Sequence, residues 1–383
     1  MKMLLVAFFV SAGLLVPTHS FGFVYDTHAE QCSIITGKTR EQFFRERGRG
    51  DLFFKEGNQC VIITNPLTKI RWVAGIFNMY TVEQLAAEVA TLSKDSAHKA
   101  GRLNVVYAQN STTLPQFAQK KINIAALQAD PHNAGAIFQV FTGTDCKTRV
   151  ADGHSSLNAA VSAAPGAIIR HHYLPEIDLA GSVACFEECF RSHGYVSLAA
   201  MHNTVLTRVN AALNHRHMGI GVHLDAAVAF DIDEQEIKIA HVITQIFTTR
   251  IDLANNKNKD AAQNIGRKVI LAAYQGTMHA AAIHGEQRLF EKPRSLQQVF
   301  ITLPNDGKDL TDDEFTWIQE ALADCIPLIG KYSLDVTLIV PSTENPGAQD
   351  FLTFVQELTE ISGGSFKEIT KIPTSPIKRK GHR

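Results

Sequence analysis

Seven short apolar runs, rich in Val, Ile, Leu and Phe, recur along the chain and constrain its fold more than any other feature. They occupy residues 103–107, 137–141, 166–169, 219–222, 242–247, 299–303 and 334–340. Runs this short and this apolar are typical of β-strands that are covered on both faces of a sheet. Helical segments lie between them, at 198–213, 260–283, 312–323 and 348–361. Strands that alternate with helices predict an α/β fold with a mixed central sheet.

The N-terminal part of the chain has a more mixed character. A β-like run covers 60–64, and Thr81 and Gln84 have the spacing of a helix capping box. We therefore expect an N-terminal α+β extension at 22–125, packed on a main domain at 126–362. Residues 363–383 contain a run of three basic residues, so we expect a basic C-terminal tail there.

Composition and charge argue against a disordered protein and against a nucleic-acid-binding protein. Hydrophobic residues make up 45% of the chain and charged residues 20%, which is typical of a folded globular protein. With 37 basic and 38 acidic residues, the net charge is −1. A surface that binds nucleic acid is usually strongly basic, so we expect no nucleic-acid partner.

The first residues resemble an export signal. An apolar stretch at 3–16 is followed by Pro17, which is typical of a secretory signal peptide and predicts one at 1–21. An uncleaved membrane anchor is the alternative. We expect an exported protein with no membrane contact after signal removal, and export is compatible with delivery into a host cell. Six cysteines and export would permit disulfides such as Cys32 with Cys60, although the pairing stays open.

One cysteine group has the spacing of a metal site. Cys185, Cys189 and His193 would share one face of a helix. The neighbouring Phe186 and Phe190 indicate a buried helix, and a fourth ligand is not evident. We therefore expect packed thiols rather than a metal site.

Three loops beside the apolar runs carry candidate site residues. In open α/β sheets, ligands bind beyond the carboxyl ends of the strands. The alternative is that small and polar residues in these loops only serve turn geometry. The loop 142–156 contains Gly143, Thr144, Asp145, Ser155 and Ser156, the loop 163–166 ends at Gly166, and the loop 303–309 contains Asn305, Asp306, Gly307, Lys308 and Asp309.

Several motifs, in this order along the chain, carry a resemblance to a known family. Over about residues 130–340 the chain resembles macrodomain-like proteins related to bacterial effector ADP-ribosylhydrolases and poly(ADP-ribose) glycohydrolases. The matching segments are 136–140 (Ala-Ile-Phe-Gln-Val), 145–146 (Asp-Cys), 163–170 (Ala-Ala-Pro-Gly-Ala-Ile-Ile-Arg), 219–225, 242–247, 271–281, 299–303 and 317–318.

The resemblance implies a macrodomain-like three-layer sandwich that recognises ADP-ribose. It places the adenine near the strand that bears Phe138 and Gln139, and the distal ribose near Asp145. It places the diphosphate near Gly166 and the loop around Gly307. The remaining implied ligand-binding residues are Gly143, Thr144, Ser155, Ser156, Asn305 and Lys308.

The resemblance also implies a hydrolytic reaction. Cleavage at the ribose anomeric carbon passes through an oxocarbenium-like state, which a carboxylate can stabilise or supply with activated water. We expect Asp145 as the first catalytic residue, with Asp306 and Asp309 next. Carboxylates need no metal for this chemistry, so we expect no cofactor.

The chain departs from the family pattern at two places. Relatives tend to carry an Asn before the Cys, where this chain has Asp145. The strand that ends at Leu303 is usually followed by a glycine-rich loop, and here the residues at 304–309 are Pro-Asn-Asp-Gly-Lys-Asp. We expect Lys308 to replace part of the diphosphate wrapping by its charge.

Three functions are compatible with these features. The leading one is an exported ADP-ribosylhydrolase that removes ADP-ribose from a modified protein, with a host protein among the candidates. The second is a catalytically silent ADP-ribose-binding module, and the third is an exported structural or adhesive protein that has lost the site. The altered third loop favours the silent functions, whereas the polar first loop and the added aspartates favour the enzyme.

Overall fold

The fold is seen in a computed structural model of the chain. It describes residues 24–27, 59–64, 71–92, 100–142, 166–167, 214–217, 219–232, 237–249, 259–288, 296–307 and 310–370. All structural statements below concern these residues.

The described strands form one sheet. They are β1 (Val24–Thr27), β2 (Gln59–Thr64), β3 (Arg71–Thr81), β4 (Arg102–Tyr107), β5 (Ile137–Thr142), β6 (Gly166–Ala167), β7 (Gly219–Ile232), β8 (Ile237–Thr249), β9 (Gln297–Thr302), β10 (Leu334–Val340) and β11 (Phe366–Glu368). Their order across the sheet is β1-β2-β3-β7-β8-β5-β9-β10-β4-β11, and β6 pairs with β7.

The described α-helices are α1 (Val82–Thr91), α2 (Gln116–Gln119), α3 (Ile124–Ala129), α4 (Lys259–Arg288), α5 (Asp312–Lys331) and α6 (Ala348–Ser362). Helix α1 begins with the predicted capping box, in which Thr81 and Gln84 exchange side chain to backbone hydrogen bonds of 3.1 and 2.8 Å. Thr311 and Glu314 form a second capping box at the start of α5.

The sheet has a parallel half and an antiparallel half. From β8 through β5, β9, β10 and β4 to β11, all neighbouring strands are parallel. Strands β1, β2, β3 and β7 pair antiparallel with one another, and β7 pairs antiparallel with β8. The predicted mixed sheet is confirmed.

Helices and loops cover both faces of the parallel half. Helices α1, α4, α5 and α6 share one buried cluster with strand residues such as Ile137, Ile301 and Leu338. On the opposite face, His241 Nε2 of β8 donates to the carbonyl of Gln128, which belongs to the connection from β4 to β5. These three layers confirm the predicted α/β sandwich.

The direction of each connection decides which face it covers. The chain runs one way across the sheet from β8 to β9, from β9 to β10 and from β10 to β11, through α4, α5 and α6. It runs the opposite way from β4 to β5, through α2 and α3. Because parallel crossovers are right-handed, a reversal of direction places the connection on the other face.

Several elements extend beyond the predicted limits. Strands predicted at 219–222 and 242–247 run from 219 to 232 and from 237 to 249, because the two pair with each other over most of their length. The helix predicted at 312–323 continues to Lys331, past Pro327, since Cys325 and Ile329 extend its buried face. The helix predicted at 198–213 lies outside the described residues.

The described backbone forms one sheet across the predicted domain limits. Strand β4, from the predicted extension, lies between β10 and β11. Strand β11 lies in the predicted tail and pairs with β4. In the part of the chain that the structure describes, no helix combines the length and the apolar character needed to cross a membrane.

Gly364 lies where the end of α6 packs against β4, and Gly330 in α5 serves as its control. A Cβ atom on Gly364 would lie 1.7 Å from the carbonyl oxygen of Leu103, whereas a Cβ atom on Gly330 in α5 would meet nothing within 4 Å. We expect Gly364→Ala to lower the free energy of unfolding by about 1–3 kcal/mol or more. Gly330→Ala should be neutral or raise it by up to about 1 kcal/mol, because alanine favours helix. Urea unfolding measures the stability of both variants. Equal changes in the free energy of unfolding would contradict the close packing of Gly364 against Leu103.

Candidate functional site

The connectivity of the sheet opens a crevice between β5 and β9. The chain leaves β5 toward β7 and β8, whereas it leaves β9 in the opposite direction toward β10. Ligands in open α/β sheets bind where the chain leaves neighbouring strands in opposite directions, beyond their carboxyl ends. The loops that leave β5 and β9 are the first and third loops of the sequence analysis.

The pairing of the two strands shows the same opening. As far as the structure describes them, β5 and β9 pair only through Ile137 with Val299 and Phe138 with Phe300. Strand β5 continues to pair with β8 as far as Thr142. The carboxyl ends of β5 and β9 therefore diverge after Phe138, and we call the gap between 139–142 and 301–303 the crevice.

Tyr274 of α4 lies at the base of the crevice. Its ring centroid is 6.0 Å from that of Phe141 on β5, and its hydroxyl donates a 2.9 Å hydrogen bond to the carbonyl of Thr302 on β9. Burial, with a smaller contribution from the Cys325 thiol, raises the pKa of Tyr274 well above its usual value. The phenol stays protonated at neutral pH and acts as a permanent donor to β9.

Gln139 binds β5 to the same helix. Its side chain is fully buried, and Nε2 donates to the carbonyl of Ala273 at 3.2 Å. Among the described residues, Oε1 of Gln139 and both amide atoms of the buried Gln245 on β8 have no hydrogen-bond partner. Buried polar atoms without partners cost free energy, so each of them in a native protein needs an explanation, of which a ligand or a catalytic role is one. Gln139 thus belongs to the wall of the crevice on the α4 side.

The chain leaves β9 through a tight turn at Pro304–Gly307. Asp306 and Gly307 both have a positive φ, of 55° and 81°. Such a conformation is rare for residues other than glycine, although Asp and Asn adopt it more readily than most. The turn therefore holds the predicted residues Asn305, Asp306 and Gly307 together at the carboxyl end of β9.

Asn345 connects this turn to the segment before α6. Its Nδ2 donates to the carbonyls of Leu310 at 2.7 Å and Gly307 at 3.4 Å, while its Oδ1 accepts from the Gly347 amide at 3.1 Å. Three hydrogen bonds from one side chain fix the path of the backbone on both sides of residues 308 and 309. Lys308 and Asp309 themselves lie outside the described residues.

The structure does not bring Gly166 to the same place. Gly166 pairs with Ala229 of β7, and Ala229 pairs with Ile239 near the start of β8. From Ile239 to the carboxyl end of β8 the distance is about 30 Å at roughly 3.3 Å per residue. The prediction that Gly166 and Gly307 share one diphosphate is not supported, because the two glycines lie at opposite ends of the strands.

Of the other predicted site residues, the structure describes Phe138 but not those of the first loop. Phe138 lies at the last pair between β5 and β9, where its fully buried ring stacks on Phe300 at 4.8 Å. Its ring belongs to the floor below the crevice, and its contact with adenine stays a prediction. The first loop lies outside the described residues, with Gly143, Thr144, Asp145, Ser155 and Ser156.

Two histidines of α4, His279 and His284, are partly or fully buried. His284 Nε2 lies 3.0 Å from the Thr244 hydroxyl in the core. Burial, and secondarily the charge of Arg216, lowers the pKa of His279 to about 4. Within those segments, no group of three or more His, Cys, Asp or Glu residues could hold a metal ion. The Cys185, Cys189 and His193 group lies outside them.

Sequence reasoning missed two residues that shape the crevice. Tyr274 lies in the quoted segment 271–281, where a tyrosine in an Ala-rich helix is a signal of a buried hydroxyl that needs a partner. Asn345 stands between Glu344 and Pro346, and nothing in its neighbourhood identifies the distant carbonyls that it binds.

Comparisons with known proteins give matches among solved structures alone. No protein-family model matches the chain, and no curated protein matches it. The chain is similar to poly(ADP-ribose) glycohydrolase from Deinococcus radiodurans in complex with ADP-ribose, at 8% identity and a TM-score of 0.41. That match covers 75% of this chain and 95% of the other.

Two structures from Thermomonospora curvata are similar as well. Its poly(ADP-ribose) glycohydrolase matches at 13% identity and a TM-score of 0.36, covering 73% of this chain and 85% of the other. The same enzyme bound to the inhibitor ADP-HPD matches at 10% identity and a TM-score of 0.34, covering 73% and 84%. The sequence resemblance named poly(ADP-ribose) glycohydrolases as well.

The Tyr274 hydroxyl can be removed without removing its ring. We expect Tyr274→Phe to lower the free energy of unfolding by about 1–3 kcal/mol, because the Thr302 carbonyl loses its donor inside the protein. Tyr332→Phe is the matched control, since the Tyr332 hydroxyl donates to the carbonyl of Val89 at 3.1 Å, away from the crevice. Urea unfolding measures the stability of both variants.

Amide hydrogen exchange separates the two variants. Tyr274→Phe should speed exchange in 299–303, whereas Tyr332→Phe should leave that segment unchanged. If exchange in 299–303 were the same in both variants, Tyr274 would not hold the end of β9.

Proposed function

We propose that this protein binds ADP-ribose in the crevice between β5 and β9 and hydrolyses the glycosidic bond at its distal ribose. The observation that carries the proposal is the divergence of β5 and β9 after Phe138, at the point where the chain leaves the two strands in opposite directions. In open α/β sheets, nucleotide-sized ligands bind at such an opening beyond the carboxyl ends of the strands.

The residues around the crevice supply chemistry that suits the reaction. Asp306 follows β9 in the turn at its carboxyl end. Asp145 comes three residues after the end of β5 in the sequence and lies outside the described residues. Loops that leave neighbouring parallel strands meet at one edge of the sheet, so both carboxylates can approach a sugar held between them.

The reaction needs one carboxylate at the anomeric carbon. Positive charge develops on the ribose ring as its bond to the leaving group breaks, and a carboxylate stabilises that charge. A carboxylate also accepts a proton from the attacking water, and the leaving group takes up a proton from solvent, so that the net reaction adds one water across the glycosidic bond. We assign this role to Asp145, with Asp306 and Asp309 as secondary candidates.

We further propose that the substrate is an ADP-ribosylated protein and that the enzyme acts after export. The predicted signal peptide at 1–21 supports export, and a host protein is then among the candidate substrates. The resemblance carried by the motifs along 130–340 supports the proposal that the substrate contains ADP-ribose.

A catalytically silent ADP-ribose-binding module is the second candidate. The feature that favours it is the turn Pro304–Gly307, which replaces a glycine-rich loop of the resembled family. Asn345 holds this turn in place through hydrogen bonds to the backbone. The backbone of the turn therefore has less freedom to wrap a diphosphate than a run of glycines would have. Substitution of the aspartates separates this candidate from the enzyme.

The first experiment measures binding and turnover with the same protein. We expect ADP-ribose to bind by titration calorimetry more tightly than AMP or NAD. Asp145→Asn should lower the release of ADP-ribose from automodified poly(ADP-ribose) polymerase by about 100-fold or more, and change the ADP-ribose Kd by less than about 5-fold. Asp306→Asn is a suitable companion, because asparagine tolerates the positive φ at this position.

Each result has a defined meaning. Binding with no turnover in the unchanged protein would favour the silent module. No binding of ADP-ribose would contradict both candidates. Tyr332→Phe serves as the control for unspecific loss of stability, since it should leave both quantities unchanged.

A further inference from the structure

A second cleft lies at the far end of the parallel half of the sheet. It is formed by the segments that follow β4, β10 and β11 and by the first half of α6, and its volume is about 640 Å³. This volume lies in the range of pockets that hold small molecules or short peptide segments. The described residues that line this cleft include none of the crevice residues 139–142 and 301–303, so it is a separate site.

Backbone hydrogen bonds fix the walls of this cleft. Asn110 and Ser342 form an isolated antiparallel bridge, so the segments after β4 and β10 run side by side. The Thr343 amide donates to the Gln109 carbonyl at 3.1 Å, and the Ser111 amide donates to the Pro341 carbonyl at 3.0 Å. A site on backbone held in this way needs little ordering when a ligand binds.

One wall is aromatic. The rings of Tyr107 on β4 and Phe366 on β11 lie with centroids 4.9 Å apart. Glu368 stands directly opposite Tyr107 in the register of the two strands. Burial raises the pKa of the Tyr107 phenol, and the charge of Glu368 and a hydrogen bond with it add to the effect. The cleft thus places a carboxylate beside an aromatic pair.

The charges of the lining have one sign. Two carboxylates, Glu344 and Glu368, face this cleft, together with four side-chain amides, three threonine hydroxyls and the Tyr107 phenol, and the described residues of its lining include no Lys, Arg or His. Asn110 Nδ2 donates to Glu344 Oε1 and orients that carboxylate. Each carboxylate can accept further hydrogen bonds. Phosphates and other anions would be repelled here, whereas a cation would find two negative charges.

We propose that this cleft binds the guanidinium group of an arginine side chain presented by a polypeptide partner. A guanidinium offers five donors and no acceptor in a planar fork, which suits two carboxylates, and it stacks on aromatic rings. A lysine ammonium is a compact, strongly hydrated charge that uses the aromatic wall less well. The amides of Gln349 and Gln356, on the exposed side of α6, are placed to pair with the peptide backbone of the partner.

The proposal is independent of the ADP-ribose function. It rests on described residues at β4, β10, β11 and α6, and none of them lines the crevice between β5 and β9. Failure of one proposal therefore leaves the other standing, since the two experiments use different ligands and different variants.

The test uses the full chain and a peptide pair of matched shape. The probe is the capped tripeptide acetyl-Gly-Arg-Gly-amide, and its control carries citrulline, which has the shape of arginine without its charge. Binding is followed by NMR chemical-shift changes at 107–113, 343–356 and 366–368. We expect the arginine peptide to bind at least about tenfold more tightly than the citrulline peptide, because hydrogen bonds to charged groups are the stronger ones.

Three single variants and one double variant locate the binding. Glu368→Gln and Glu344→Gln should each lower the affinity for the arginine peptide by about fivefold or more, and the double variant should bind the peptide more weakly still. Glu357→Gln is the control, since Glu357 is exposed on α6 and does not line the cleft. A thermal melt of each variant shows that it is folded.

The opposing outcomes are equally defined. Equal binding of the arginine and citrulline peptides would overturn the proposal, as would the absence of binding to folded protein. Shift changes at the same residues caused by inorganic phosphate or by a neutral disaccharide, and not by the arginine peptide, would assign the cleft to a different ligand class and overturn it as well.

Discussion

The divergence of β5 and β9 is the constraint on which the candidate site depends, and α4 maintains it. The Tyr274 ring packs beside Phe141, and the Tyr274 hydroxyl donates a hydrogen bond to the Thr302 carbonyl. These contacts keep the ends of β5 and β9 from pairing with each other. Gln139 adds a hydrogen bond from β5 to the backbone of the same helix. The crevice is thus held open by buried contacts on the α4 face of the sheet, below the loops that would meet a ligand.

Chain connectivity places those loops. Right-handed crossovers carry α4, α5 and α6 over one face, and the connection from β4 to β5 over the other. Because the chain leaves β5 and β9 in opposite directions, the two strand ends open at this edge, and polar residues there can serve a ligand instead of packing under a helix. The turn Pro304–Gly307 and its Asn345 contacts then fix one side of the opening.

Local patterns were sufficient to predict much of this fold and little of its site. The capping box at Thr81 and the apolar runs at 137–141 and 334–340 predicted their elements because burial and capping act over a few residues. Strand β11 was missed, since its one partly buried and two exposed residues have no apolar pattern and pair only because β4 offers an edge. Gly166 was grouped with Gly307 by sequence motif, yet strand register, which the motif does not contain, separates them. Tyr274 and Asn345 act on carbonyls far away in sequence, and such partners are set by the fold alone.

Amide hydrogen exchange of the full chain with and without ADP-ribose tests the central claim most directly. Our account predicts slower exchange at the carboxyl ends of β5 and β9, in 137–142 and 301–307, and no change in 107–113 or 366–368. AMP should protect fewer of these amides than ADP-ribose does. Protection confined to other strands, or no protection at saturating ADP-ribose, would contradict the assignment of the crevice as the ligand site.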